Sequence, residues 1–407
     1  MSLAYDIGRP LRSSFIFIAS FWTLYTAAQT NWSPAAVFGT NGVTNTDIST
    51  GPDEMIRHHL LGDGRILLAG GGSENGCNCN YISLMRADTA CGGLYPTFGT
   101  NGKVRHVFEQ RSSLTDMVVL PDGKLLACGQ SSVSTGPNDY RGAVYRFNAD
   151  GSPDETLLGG GFVPQRFGPT LSGSHIAVLP MNNGRFAVVG GTFYTNNNSW
   201  DGRGVMRYNA DGTLDNQYSG DGMHWIQNIG GPYVGQAGLM QADSSVLWIG
   251  TDASTGHSIY FTRFAMDGST SDHVTSVGPG NYRGLSAKNI GNGKFLVGYS
   301  TDAGICVVAR FNSDLTLDGT YGVGGTSEVD PTIAVDQVYG LEVLEDGSSL
   351  HFGGATWNSI HFVIKRTPDG ALDATFGDNG VLRLPSSPAI TGVRGGTILT
   401  GGESLLI

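Results

Sequence analysis

The 407-residue chain carries 62 glycines, about twice ordinary usage, with 40% hydrophobic and only 14% charged residues. A chain this long and apolar can bury a large core, which excludes disorder, and its glycines lack the three-residue period of collagen. The net charge is −11 and only five of the 24 basic residues are lysines, an acidic surface that repels phosphate backbones and argues against nucleic acid as a partner.

Residues 1–28 read in two ways. Arg9 and Arg12 precede an apolar run from Phe15 to Tyr25, and Thr26-Ala27-Ala28 puts small residues at a cleavage site, the pattern of an export leader. The same stretch suits a closing strand for the domain that follows at 29–407. The run of about 11 residues is shorter than the roughly 20 that a membrane-spanning helix needs, so no membrane span is expected.

From there a two-part unit recurs along the chain. Its first part is a strand, a tight turn and a second strand ending in Gly, as in DMVVLPDGKLLACG from Asp116 and LEVLEDGSSLHFGG from Leu341. Similar hairpins start at Met55, Ile176, Gly238, Leu285 and Ala389. Their turns fall at Gly64, Gly123, Gly184, Ser244, Gly293, Gly347 and Gly395, where Asp-Gly and Asn-Gly supply the positive φ of two-residue loops. The second part is a strand ending in a basic residue, an acidic turn and an aromatic-Gly loop. It reads clearly from Tyr145, Met206, Thr262, Ala309 and Ile364, and in degenerate form from Met85. A further loop, AAVFGTNG, spans Ala35 to Gly42.

Apolar runs of four to seven residues bounded by Gly and Asp/Asn are strands. Four strands per unit and seven hairpins predict an all-β, seven-bladed β-propeller. The last unit stops at Ile407 before any Phe-Gly loop, whereas the front of the chain begins with one, so the N- and C-terminal strands are expected to join in one blade. Placing Phe38-Gly39 over Tyr321-Gly322 lays Trp22–Ala27 on Ile305–Arg310, which makes the N-terminal segment the third strand of that blade. The rival closure uses Ser404 to Ile407 as third strand.

The copies around Arg146, Arg207, Arg310 and Lys365 resemble the delta-60 family of bacterial β-propeller repeats, with a strand-DG-strand-G hairpin followed by an RYNxDGxLDxTFGxxG segment. The resemblance covers about residues 33 to 402. It implies a propeller in an envelope or extracellular setting, secreted or held at the cell surface or periplasm, and brings no catalytic residues with it.

Five cysteines cannot all pair within one chain. Cys77 and Cys79 lie in a loop between second and third strands, and Cys128, ending a second strand in the next unit, is their better disulfide candidate than Cys91. Cys306 reads as a buried apolar residue.

The acidic turn is the strongest chemical candidate. Asn148, Asp150 and Asp154 recur as Asn209, Asp211 and Asp215 and as Asn312, Asp314 and Asp318. Oxygen-bearing residues at alternate positions resemble the start of a calcium loop, so calcium is the one cofactor the sequence raises. The structural reading is an Asx turn, and recurrence in most units favours it. The strand-end bases Arg146, Arg207, Arg263, Arg310 and Lys365 are expected to pair between neighbouring loops. No nucleophile elbow, metal-protease helix, P-loop or dinucleotide fingerprint occurs, so no catalytic residue is assigned.

Loops between second and third strands run long in the first three units. The third holds Phe193, Tyr194, Asn197 and Trp200, aromatics and amides that suit sugar or protein contacts. The expected function is a non-catalytic interaction or assembly module; a carbohydrate-binding propeller, and an enzyme with its site in the central channel, are the alternatives. The apolar stretch Ser14 to Ala28 is also expected to pair with a neighbouring subunit and so make homopolymers.

Overall fold

Short apolar runs alternating with Gly-bearing turns fold into antiparallel meanders. The computed structural model describes residues 15–20, 43–46, 48, 53–73, 80–133, 140–167, 172–193, 200–227, 233–252, 258–275, 282–330, 337–355, 360–384, 396–398 and 404–406. Among them there is no α-helix.

Near the N-terminus stand β1 (Phe15–Ser20) and β2 (Val43–Thr46). An eight-stranded sheet follows, made of β3 (Asp53–Leu60), β4 (Arg65–Ser73), β5 (Asn80–Asp88) and β6 (Lys103–His106), then β7 (Arg111–Val119), β8 (Leu125–Ser132), β9 (Arg141–Phe147) and β10 (Phe162–Gln165). Its two halves meet at a single parallel pair, Asn80 with Arg111. The next two meanders are β11 (Ser172–Pro180), β12 (Phe186–Phe193), β13 (Trp200–Tyr208) and β14 (Met223–Gln227), and β15 (Tyr233–Met240), β16 (Val246–Asp252), β17 (Ile259–Phe264) and β18 (Thr270–Thr275). Two more are β19 (Tyr282–Gly291), β20 (Lys294–Thr301), β21 (Cys306–Phe311) and β22 (Thr326–Val329), and β23 (Gln337–Val343), β24 (Ser349–Ala355), β25 (Ile360–Arg366) and β26 (Val381–Leu384). The chain ends with β27 (Gly396–Ile398) and β28 (Ser404–Leu406).

Both ends share one sheet, in the order β2-β1-β28-β27. Ile18 stands opposite Val43 on one side and Leu406 on the other. β27 begins directly after the expected turn at Gly395, as second strands do in the other units, so Ser404–Leu406 holds the third place, as in the rival closure, and Phe15–Ser20 follows it. Residues 22–27, expected in that third place, lie outside the described residues.

The hydrophobic core lies between sheets. Leu247, Ile249 and Phe261 face Phe295, Val297 and Phe311 across one seam; Leu126 and Val144 face Val188, Met206 and Tyr208 across another. The first strands β3, β7, β11, β15, β19 and β23 each touch the next in that order. Sheets stacked face to face, with their first strands following one another round an axis, make a β-propeller.

Six of the seven turns behave as the sequence predicts, and the seventh, at Gly395, lies outside the described residues. Gly64, Gly123, Gly184, Gly293 and Gly347 all have positive φ, and Ser244 adopts φ 63° in the same place without being glycine. One device left no trace in the sequence. Every described first strand from β3 to β23 carries a register shift near its middle, as between Leu114 and Asp116 or between His175 and Ala177. Such bulges increase twist and re-aim side chains.

Candidate functional site

The recurring chemistry gathers where the third strand of each sheet ends. Arg146 leaves β9 with its guanidinium turned toward the loop ahead. Its Nε donates to Asp154 Oδ2 at 2.6 Å, its Nη2 to Thr156 Oγ1 at 2.9 Å and its Nη1 across the seam to the Ala210 carbonyl at 2.5 Å. Lys124, at the start of the second strand, reaches the same Asp154 oxygen at 2.8 Å. Arg310 repeats this with Asp318 Oδ2 at 2.7 Å, Thr320 at 2.8 Å and the Pro368 carbonyl at 2.8 Å, and Lys294 meets Asp318 at 2.6 Å. Lys365 pairs with Asp373 at 2.9 Å. One carboxylate thus holds two bases within its sheet, while the arginine clips the turn of the next.

Burial works against ionisation of Asp154, but hydrogen bonds from Lys124, Thr156 and Arg146 hold it well below the usual carboxylate range. Hydrogen bonds from Lys294 and Thr320 do the same for Asp318. Arg207 departs from the pattern. It stacks over the Tyr218 ring at 4.4 Å, donates to the Ser244 carbonyl at 2.7 Å and contacts the Met266 sulfur, and Asp215 turns to Arg185 at 3.4 Å.

The acidic turns are Asx turns. Asp150 Oδ1 accepts the Ser152 N–H at 2.9 Å and its hydroxyl at 2.7 Å; Asp211 with Thr213 and Asp314 with Thr316 do likewise. Asn148, Asn209 and Asn312 each donate to that same Ser or Thr hydroxyl. These bonds lower the carboxyl pKa of Asp150, Asp211 and Asp314. Both oxygens of Asp154 and of Asp318 are taken by side chains or backbone of the protein. No group of three or more His, Cys, Asp or Glu among the described residues is placed to hold a metal ion.

One junction lacks its aromatic-Gly loop, because β18 follows the β17 turn directly. There Ser271 stands where the pairing aspartate would be, and Arg263 reaches Asp243 at 3.5 Å and the Ser313 carbonyl at 2.5 Å. The gap leaves an open notch of about 610 Å³ lined by Asp243, Arg263, Asp272, His273, Ser313 and Leu315. Leu315 has φ 70° where the other copies place Gly151, Gly212, Gly268 and Gly370. A Cβ at Gly151 would meet Phe98, and one at Gly370 would meet Tyr321 at 2.9 Å, both from the preceding loop. With no loop ahead of it, Leu315 turns its own side chain into that space and is 6% exposed.

Charged pairs on the first strands escape a reading of the sequence. Arg57 Nε donates to Asp116 Oδ1 at 2.7 Å, and Asp116 Oδ2 accepts the Val178 N–H at 3.0 Å, linking three consecutive units. Lys288 meets Glu342 at 3.0 Å, and His58 lies in the field of Glu342, Lys288 and Arg57. The signal that could reveal them is a charge at alternate positions of an otherwise apolar first strand.

In the long third loop, Phe193 and Trp200 stand opposite each other in register on β12 and β13, while Tyr194 and Asn197 lie outside the described residues. Cys77 and Cys79 do so as well. Cys128 is a buried free thiol 3.6 Å from Thr115 Oγ1, and burial raises its pKa well above the ordinary value. Cys91 and Cys306 are also free, the first exposed and the second buried.

Among known proteins, residues 120–157 and 183–218 match a family model described as a domain of unknown function (DUF5122) beta-propeller. No curated protein matches the chain. A protein of unknown function from Dyadobacter fermentans is 10% identical with a TM-score of 0.45, over 88% of this chain and 96% of that one. The WD40 domain of Toxoplasma gondii coronin is 11% identical with a TM-score of 0.46, over 96% and 79%. A quinonprotein alcohol dehydrogenase-like protein from Bacteroides thetaiotaomicron is 10% identical with a TM-score of 0.45, over 92% and 76%.

Proposed function

We propose that the chain is a seven-bladed propeller that works outside the cytoplasm as a non-catalytic structural or interaction module of the bacterial envelope or extracellular matrix. The blade count takes the eight-stranded sheet as two blades joined by one pair, and the sheet made from both chain ends as one. The single observation that carries the functional reading is the fate of the recurring acids and bases. Asp154, Asp318 and Asp373 spend their charge on bases of their own sheet, and Arg146, Arg263 and Arg310 spend theirs on the neighbouring turn. Chemistry committed to stitching blades supports a scaffold that presents its loops.

The extracytoplasmic setting rests on the leader-like residues 1–28 and the family resemblance. A second reading, glycan binding, draws support from Phe193 and Trp200 lying opposite each other at the mouth of one loop. Self-assembly through the N-terminal strand would require exchange, since β1 pairs with β2 and β28 of its own chain.

Fractionation of cells carrying the tagged protein, followed by binding to isolated envelope and to a glycan array, tests the reading. Recovery outside the cytosol is expected, with binding lost when residues 194–199 are replaced by a short Gly turn. Exclusive recovery in the cytosol contradicts it; binding confined to the glycan array selects the second reading.

A further inference from the structure

The notch between β15–β18 and β19–β22 differs chemically from the same place in the other sheets. Leu61, Leu120 and Met181 each donate their N–H to the carbonyl four residues on and pack against an inter-sheet core. Gln241 makes the same backbone bond to Ser245 but carries an amide. It lines the notch at 7% exposure, and its Nε2 has no hydrogen-bond partner. A buried amide left without a partner is costly, so the choice of glutamine over leucine points to something that meets it.

The charges around it have changed as well. The residue that accepts the turn bond is Lys124 or Arg185 in two earlier sheets, each paired with an aspartate, and is Ser245 here. Arg146 and Arg310 donate through Nε to Asp154 and Asp318. Arg263 repeats their reach to the next turn, through Nη2 to the Ser313 carbonyl, yet its Nε donates to nothing among the described residues. Its one acid among them, Asp243, lies 3.5 Å from Nη1. The guanidinium thus keeps an edge open where its counterparts hold a carboxylate.

The other walls supply acceptors. Asp243 and Asp314 each use Oδ1 for the turn that follows, which leaves acceptor capacity on Oδ2, and Asp272 is paired with Arg203 at 2.9 Å. One guanidinium edge, one buried amide and exposed carboxylate acceptors share a notch of about 610 Å³, a size that takes a small ligand. A ligand with a single carboxylate and several hydroxyls meets all of them. An acidic peptide would set further charge against Asp243 and Asp314, and an amine would leave Arg263 unanswered.

We propose that this notch binds a uronic-acid sugar, with its carboxylate on Arg263 and its hydroxyls shared among Gln241, Asp243 and Asp314. The site uses no residue of the loop between β12 and β13, so its failure and that of the glycan reading above are separate.

Saturation-transfer NMR on the full chain at fixed ionic strength, with glucuronate, galacturonate, glucose and acetate as probes, tests the site. One of the two uronates should bind at least about tenfold more tightly than glucose or acetate. Gln241→Leu, which restores the aliphatic residue of the other sheets, should keep the fold and weaken that uronate about tenfold. Arg263→Gln should bring the uronate down to the level of glucose. Absence of uronate binding, or binding no tighter than that of glucose, would overturn the proposal. Acetate bound as tightly would mean that Arg263 takes any small anion, and would overturn it too. If Arg263→Gln does not fold, Gln241→Leu decides: a uronate bound as in the parent contradicts the site.

Discussion

Asp154 and Asp318 show how one carboxylate sets a junction. Each is nearly buried between two bases, with its second oxygen on a threonine that follows. Removing the charge leaves Arg and Lys facing each other, so Asp318→Asn should destabilise the fold by about 2 kcal/mol, discounted because Lys294 is partly exposed. The urea midpoint should fall with an unchanged m-value. His175 gives a second test on a single side chain. Burial pushes its pKa down to about 4, against a weaker opposing bond to the Ala143 carbonyl, so it is neutral in the fold. The unfolded chain takes up that proton near pH 6.5, so the stabilisation is complete above that pH and is lost as pH falls toward 4, by about 3 kcal/mol. The aspartates act in the same direction but only below about pH 4. Urea midpoints at pH 7.5 and pH 4.5 should therefore diverge in the parent and converge by about that amount in His175→Leu; equal losses in both would contradict the assignment.

Among the elements, loops and turns are exchanged as matched parts. The connection after β17 has lost its aromatic-Gly loop, and the following turn has traded glycine for Leu315 at φ 70° to fill the vacated core. Leu315→Gly should cost about 2 kcal/mol, the lost burial outweighing the relief of backbone strain. Gly151→Leu, which would meet Phe98 and Val104, should cost about 3 kcal/mol. Calorimetry on both variants checks the pair of signs. The hairpins and turn positions were legible because Asp-Gly turns repeat visibly; the strand-end bases were expected to pair between neighbouring loops, whereas Arg146 and Arg310 pair with an aspartate of their own sheet and reach the next turn through a carbonyl. The bulges in the first strands were not legible, since one extra residue inside an apolar run alters no composition. Arg57–Asp116 was hidden too, because its two residues lie 59 apart. Position along the chain gave no hint of this pair until the sheets were stacked.

For the molecule as a whole, a ring of sheets has no free edge only if its ends meet. Here β1 lies between β2 and β28, so the first described strand bonds to the last described one. Two-sided hydrogen bonding protects a strand that would otherwise offer its edge to other chains. The apolar segment that resembles an export leader therefore also joins both ends of the described chain in one sheet, and the two roles compete for the same residues. Removal of residues 1–28 should leave the remaining meanders folded with an open edge at β28, lowering cooperativity and promoting association, as sedimentation velocity would show. Backbone amide exchange, read by mass spectrometry on the intact chain and on the chain lacking residues 1–28, tests closure most directly. A closed ring predicts slow exchange across 15–20 in the intact chain and a loss of protection at 404–406 once that strand is gone; fast exchange at 15–20, with 404–406 unchanged by the truncation, would contradict it.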